Sequence, residues 1–111
     1  MANATSVKEV FDNLCSRFQA DKAGNESAMF RFDLSGEDGG EYWAHIDKGT
    51  CNAGAGVPPS TPDITVLAAG DDFIKLVNGD LQPMVAFMQG KLKVQGSMSI
   101  ALKMVTWFDL S

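Results

Sequence analysis

The chain has 111 residues, 45% of them apolar and 21% charged, with a formal net charge of −5 and a pI near 4.6. That length suffices for a single domain, residues 1–111, with a substantial core, and not for two. Nine Lys and Arg scattered among 14 acidic residues exclude a nucleic-acid surface, because phosphate binding needs clustered cations.

No run approaches the roughly 18 apolar residues of a membrane span. Residues 1–20 lack the basic start and continuous apolar core of a signal peptide, and the chain ends Asp109-Leu110-Ser111 rather than on a Ser-Lys-Leu address. These features predict a cytoplasmic protein with Cys15 and Cys51, its two cysteines, as free thiols in a reducing compartment. The triplets Asn3-Ala4-Thr5 and Asn25-Glu26-Ser27 then carry no glycosylation meaning.

Ser6-Val7-Lys8-Glu9 reads as a capping box. Behind it Val7, Val10, Phe11, Leu14, Cys15 and Phe18 recur at helical spacing, predicting one helix that Gly24 stops. Ala28, Phe30, Phe32 and Leu34 then alternate with Met29, Arg31 and Asp33, as in a half-buried strand. The turn Ser35-Gly36-Glu37-Asp38-Gly39-Gly40 leads into a second alternating run with Tyr42, Ala44 and Ile46, which makes a hairpin. Lys48-Gly49 turns the chain into a weak strand from Cys51 to Ala55. Pro58, Pro59 and Pro62 mark a loop, followed by a strand from Asp63 to Ala68 with Ile64, Val66 and Ala68 on one face. Asp71 is expected to cap a short helix carrying Phe73, Leu76 and Val77, stopped by Gly79. A second short helix starts near Pro83 and presents Met84, Phe87 and Met88. After Gly90, Lys91 to Gln95 reads as a strand with Leu92 and Val94 inward. Ser97 caps a last helix with Met98, Ala101, Leu102, Val105 and Phe108 on its apolar face. Strands grouped before helices predict an α+β fold with a mostly antiparallel sheet covered on one face.

A catalytic constellation is not apparent, and the chain reads as a non-enzyme. His45, the single histidine, falls on the strand face opposite Tyr42, Ala44 and Ile46. One His and two widely spaced Cys cannot assemble a zinc site of standard spacing. Gly54-Ala55-Gly56-Val57-Pro58-Pro59 begins like a dinucleotide loop but has Pro where the third Gly belongs. Gly90-Lys91 lacks the flanking residues of a phosphate loop. The acidic group Glu37, Asp38 and Glu41 at a hairpin tip lacks calcium-loop spacing. Neither a metal nor a cofactor is expected.

Asp63-Ile64-Thr65-Val66, Asp72-Phe73, Gly79, Pro83, the run Ala86-Phe87-Met88-Gln89-Gly90-Lys91-Leu92-Lys93-Val94, Gly96 and Ala101-Leu102-Lys103 resemble the sterol carrier protein type-two lipid-binding family. The likeness runs from about Asp63 to Lys103 and more loosely back to the first helix. It implies a five-stranded, mostly antiparallel sheet with helices over one face and a hydrophobic tunnel between them. The tunnel in such proteins holds a fatty acid, fatty acyl-CoA or sterol. Two positions depart from the family pattern: Ser97 stands where Asn is common, and Asp80 where a basic residue is common. The second disfavours an anionic headgroup.

Four methionines fall in residues 84–105: Met84, Met88, Met98 and Met104. A thioether chain with three rotatable bonds suits a wall that adapts to different guests. Joined to the resemblance, the apolar faces above nominate Phe30, Phe32, Tyr42, Ile64, Val66, Phe73, Met84, Phe87, Met88, Leu92, Val94, Met98, Ala101, Leu102 and Val105 as lipid-binding. The expected partners are a long-chain lipid (fatty acid, acyl-CoA or sterol) and transient contacts with a membrane or an enzyme, with the chain itself monomeric. Two other readings use the same residues: an accessory domain presenting acyl substrates to a separate lipid-metabolising enzyme, and a filled-core interaction domain without a tunnel.

Overall fold

A computed structural model describes residues 5–37 and 39–108. Asn3 and Ala4 of the first triplet, Asp38 of the hairpin tip and the terminal Asp109-Leu110-Ser111 lie outside the described residues. The chain opens with helix α1 (Val7–Asn13), where Ser6 Oγ accepts a hydrogen bond from the Glu9 amide. The predicted helix does not continue to Gly24. A 3-10 turn (Leu14–Arg17) follows α1, Phe18 is extended, and only then comes the short α2 (Ala20–Ala23). Three contacts account for the break. Asn13 Nδ2 donates back to the Glu9 carbonyl, a side-chain bond that competes with helix propagation. Beyond it, the Gln19 amide donates to the Trp107 carbonyl and Phe18 packs on Phe108, drawing the chain toward the C-terminal helix.

The strands are β1 (Ser27–Ser35), β2 (Gly40–Asp47), β3 (Thr50–Ala55), β4 (Ile64–Ala69) and β5 (Leu92–Gly96). They form one sheet in the order β3-β2-β1-β4-β5. Only β1 and β4 run parallel, Phe30 opposite Ile64; the other three pairs are antiparallel. The expected five-stranded, mostly antiparallel α+β fold is therefore the fold observed. Asp63 anchors the entry to β4: its carboxylate accepts from the Met29 amide and its own amide donates to the Met29 carbonyl. On the outward side of the first hairpin, Asp33 faces Glu41 across the strands. Arg31 relieves that like-charge pair by bonding Glu41 and lying near Asp33. The hydrogen bond to Glu41 raises the Arg31 pKa above its ordinary value.

Helix α3 (Gly70–Asn78) leaves β4 almost directly; its N-cap position is Ala69, with no side-chain cap, and the expected cap Asp71 instead lies in the first turn with Asp72. Carboxylates there face the positive end of the helix dipole. Gly79, in the left-handed region at φ +82°, ends the helix, and the amides of Gly79 and Asp80 close on the carbonyls of Leu76 and Lys75. Helix α4 (Pro83–Met88) starts on Pro, and α5 (Met98–Trp107) is capped by Ser97 Oγ accepting from the Ile100 amide.

The core side of the sheet divides into two parts. Under α1, rings interlock: Phe11 stacks on Tyr42 at 4.3 Å and on Phe73 at 5.6 Å, and meets Phe32 edge-on at 5.0 Å. Cys15 and Cys51 are joined there by a disulfide, with Cα atoms 5.5 Å apart. This corrects the expectation of free thiols. The 3-10 turn lies against the core face of edge strand β3, bringing two residues 36 apart in sequence within bridging distance. Under α3, α4 and α5, over β4 and β5, packing gives way to a cavity.

Candidate functional site

The cavity has a volume of about 530 Å³, within the ~300–1,000 Å³ range of small-ligand sites. Its floor is Val66 of β4 with Leu92 and Val94 of β5. Phe73 and Leu76 of α3, Met84 and Phe87 of α4, and Met98, Ala101, Leu102, Met104 and Val105 of α5 make the walls, with Gln82 and Pro83 at the start of α4. The periodicities behind this are simple. Alternate residues of β4 and β5 face the helices, and α5 turns one stripe inward while a neighbouring stripe borders the cavity. Ala101, Met104 and Trp107 form the buried stripe, whereas Met98 and Leu102 stay half wet.

Ten of the fifteen nominated residues line this space: Val66, Phe73, Met84, Phe87, Leu92, Val94, Met98, Ala101, Leu102 and Val105. Five do not. Phe30, Phe32 and Ile64 are buried in the core beyond the cavity, and Tyr42 is sequestered against Phe11. Met88 points to solvent with 79% of its surface exposed, because α4 brings Pro83, Met84 and Phe87 to the cavity and buries Ala86 against the core, leaving Met88 on the far side. The cavity also takes in Leu76, Gln82 and Pro83. The apolar face of α3 would have indicated Leu76; nothing in the sequence marks Gln82. Met104, named only for the adaptability of its side chain, is a liner too.

Electrically the site is plain. Gln82 is the single polar residue among its described liners, and none carries a charge. Such a space can solvate an alkyl chain or ring system but offers no ion pair to a charged group. His45 is half-exposed and pairs with Asn52 across β2 and β3, on the face away from the core and next to Ile46, the partner of Cys51. It does not line the cavity. Among the described residues no three His, Cys, Asp or Glu side chains converge as a metal site, and no helix is long and apolar enough to cross a membrane.

A model of the SCP-2 sterol transfer family matches residues 11–109. The chain is 36% identical over 103 residues to hydroxysteroid dehydrogenase-like protein 2 of Bos taurus, covering 93% of this chain and 25% of that protein. It thus spans about a quarter of the length of the curated relatives it matches. In fold it superposes on palmitated SCP2L2 from Aedes aegypti with a TM-score of 0.74 at 20% identity, covering 92% of this chain and 93% of that one. It also superposes on the sec-alkylsulfatase Pisa1 from Pseudomonas sp. with a TM-score of 0.77 at 22% identity, over 96% of this chain and 16% of that one. From Phe11 onward nearly every residue falls within the family match, and the chain belongs to the SCP-2 sterol transfer family.

Proposed function

We propose that the chain binds a long-chain lipid (a fatty acid, its acyl-CoA or a sterol-like molecule) in this cavity and carries it, as a monomer, between cytoplasmic sites. The observation that carries the reading is a continuous apolar wall left half open. Met84, Met98 and Leu102 line the cavity while 62%, 47% and 59% of their surfaces remain exposed. A monomer does not ordinarily leave such large side chains wet around a concave space, and an apolar guest would dry them. Burying a 16-carbon chain at ~0.8 kcal/mol per methylene gives roughly 11 kcal/mol. Ordering the guest removes several kcal/mol. The net of about 8 corresponds to a dissociation constant near micromolar. Palmitate on the Aedes aegypti relative supports the same class of guest.

A second reading has support of its own. Relatives four times as long bear a dehydrogenase-like name, so a domain of this kind also suits presentation of a lipid to a catalytic partner. Native mass spectrometry of protein purified from cells, followed by titration with a fluorescent fatty-acid analogue, tests the binding common to both readings. Co-purified lipid and saturable one-to-one binding are expected. A lipid-free protein with no displaceable binding refutes them and leaves an interaction domain without cargo.

A further inference from the structure

We infer that the Cys15–Cys51 disulfide is a redox control on the cavity, with the oxidised chain holding lipid more tightly than the reduced one. This rests on the reading of the cavity as a lipid site. The bridge clamps the turn after α1 to edge strand β3, at the end of the sheet remote from the cavity. Phe11 lies one helical turn before Cys15, and its ring stacks on Phe73, which is itself a cavity wall. Phe32 supports both rings, at 5.0 Å from Phe11 and 5.4 Å from Phe73. A contiguous path of ring contacts therefore joins the clamp to the wall. With the clamp closed, Phe73 is backed by a fixed ring. With it open, α1 gains freedom, Phe11 backs the wall less rigidly, and part of the ordering must then be supplied by the guest.

Two further features suit a bond that is made and broken. Both cysteines are half-buried and neither belongs to the fully buried core, as a bridge open to exchange with a thiolate requires. Val7, Val10, Phe11 and Leu14 are all buried, so α1 keeps its apolar attachment to the sheet without the bridge. In a reducing compartment, the disulfides that do form are usually transient, catalytic or redox-sensing. The reductant is a dithiol. One of its thiolates attacks a cystine sulfur, breaking the Cys15–Cys51 bond and forming a mixed disulfide. Its second thiolate breaks that bond in turn, leaving two cysteine thiols and the reductant as a cyclic disulfide. Two electrons and two protons pass to the protein.

The test compares the oxidised full chain, the same chain in excess dithiothreitol, and the Cys15→Ser/Cys51→Ser double variant. Each is titrated with the fluorescent fatty-acid analogue, with circular dichroism for folding and amide exchange for residues 7–17. The expected result is a folded reduced chain, faster exchange in α1 and the turn, and a dissociation constant raised about fivefold or more. By reciprocity, saturating lipid shifts the disulfide–dithiol equilibrium toward the disulfide by the same factor. Phe11→Leu, oxidised and reduced, should bring the ratio of the two affinities toward one. Equal dissociation constants for the two redox forms overturn the inference and leave lipid binding standing. So does a chain that unfolds wholly on reduction, which would make the bridge a structural staple. No probe uptake by either form, in chains that remain folded, overturns the cavity reading and this inference together.

Discussion

Leu102 distinguishes a cavity wall from an ordinary core position. It sits on α5 between Met98 and Val105, where a helical stripe would place a packed residue, yet 59% of its surface is exposed and its side chain borders the cavity. Burying a leucine fully is worth about 1.5–3 kcal/mol, so the part of Leu102 that is out of water contributes only about 1 kcal/mol. Leu102→Ala should therefore lower the unfolding free energy of lipid-free protein by about 1 kcal/mol, well below the ~2–5 kcal/mol of a core truncation. Leu14, only 1% exposed and not among the cavity liners, is the internal control: Leu14→Ala should fall in the larger range. A bound chain that lies on Leu102 loses contact of similar size, so affinity should fall about fivefold. Leu102→Trp should do the reverse to the protein, holding or raising lipid-free stability while obstructing uptake. Urea unfolding with and without lipid, together with the fluorescent titration, measures all of these. A loss of 3 kcal/mol or more (~3 lies inside the core range) in Leu102→Ala without lipid, combined with normal uptake by Leu102→Trp, refutes the wall assignment.

Other substitutions probe the scaffold. His45→Ala should leave both stability and lipid affinity unchanged, because the imidazole is on the outward face; a folded variant that no longer binds would contradict that placement. Gly96→Ala should cost about 2 kcal/mol or more, since φ is +112° and an added Cβ would stand 2.5 Å from the Asp63 carbonyl oxygen. As β5 floors the cavity, lipid affinity should drop with it, and an unaffected thermal midpoint would be inconsistent with this geometry. Ser97→Ala removes the bond to the Ile100 amide and should cost about 1 kcal/mol, checked by urea unfolding.

The fold was legible where local pattern and tertiary demand coincide. Alternation in β1 and β2, the Ser6 and Ser97 caps and the stops at Gly79 and Gly90 all act within a few residues. The break after Asn13 was not legible, because it depends on the Trp107 carbonyl and the Phe108 ring, some ninety residues away. The disulfide was hidden for the same reason. Nothing short of the β2–β3 register and the docking of α1 brings Cys15 over Cys51. Within the site, the family-like run located β5 and α4 but carried no phase for a helix of six residues. Met84 and Met88, four apart, look equivalent in sequence, and only the position of α4 over the sheet sets Met84 beside the cavity and Met88 away from it.

The division of the core into a tight half and an open half follows from where two kinds of side chain occur. Phe11, Phe32, Tyr42 and Phe73 meet as flat rings at fixed angles, and rigid rings that interlock leave little room for adjustment. Met84, Met98 and Met104 come from the later segments and face the cavity, where flexible thioethers can close on guests of different outline. Phe73 belongs to both halves, stacked on Phe11 behind and facing the cavity in front. A rigid wall on one side and an adaptable one on the other lets a single site fix the position of a chain without fixing its shape. It also makes Phe73 the residue through which changes in the aromatic half reach the lipid, so Phe73→Leu should weaken binding and narrow the affinity difference between oxidised and reduced protein at once. Titration of that variant in both redox states checks this; weakened binding with the difference intact would mean that the two halves communicate by another route.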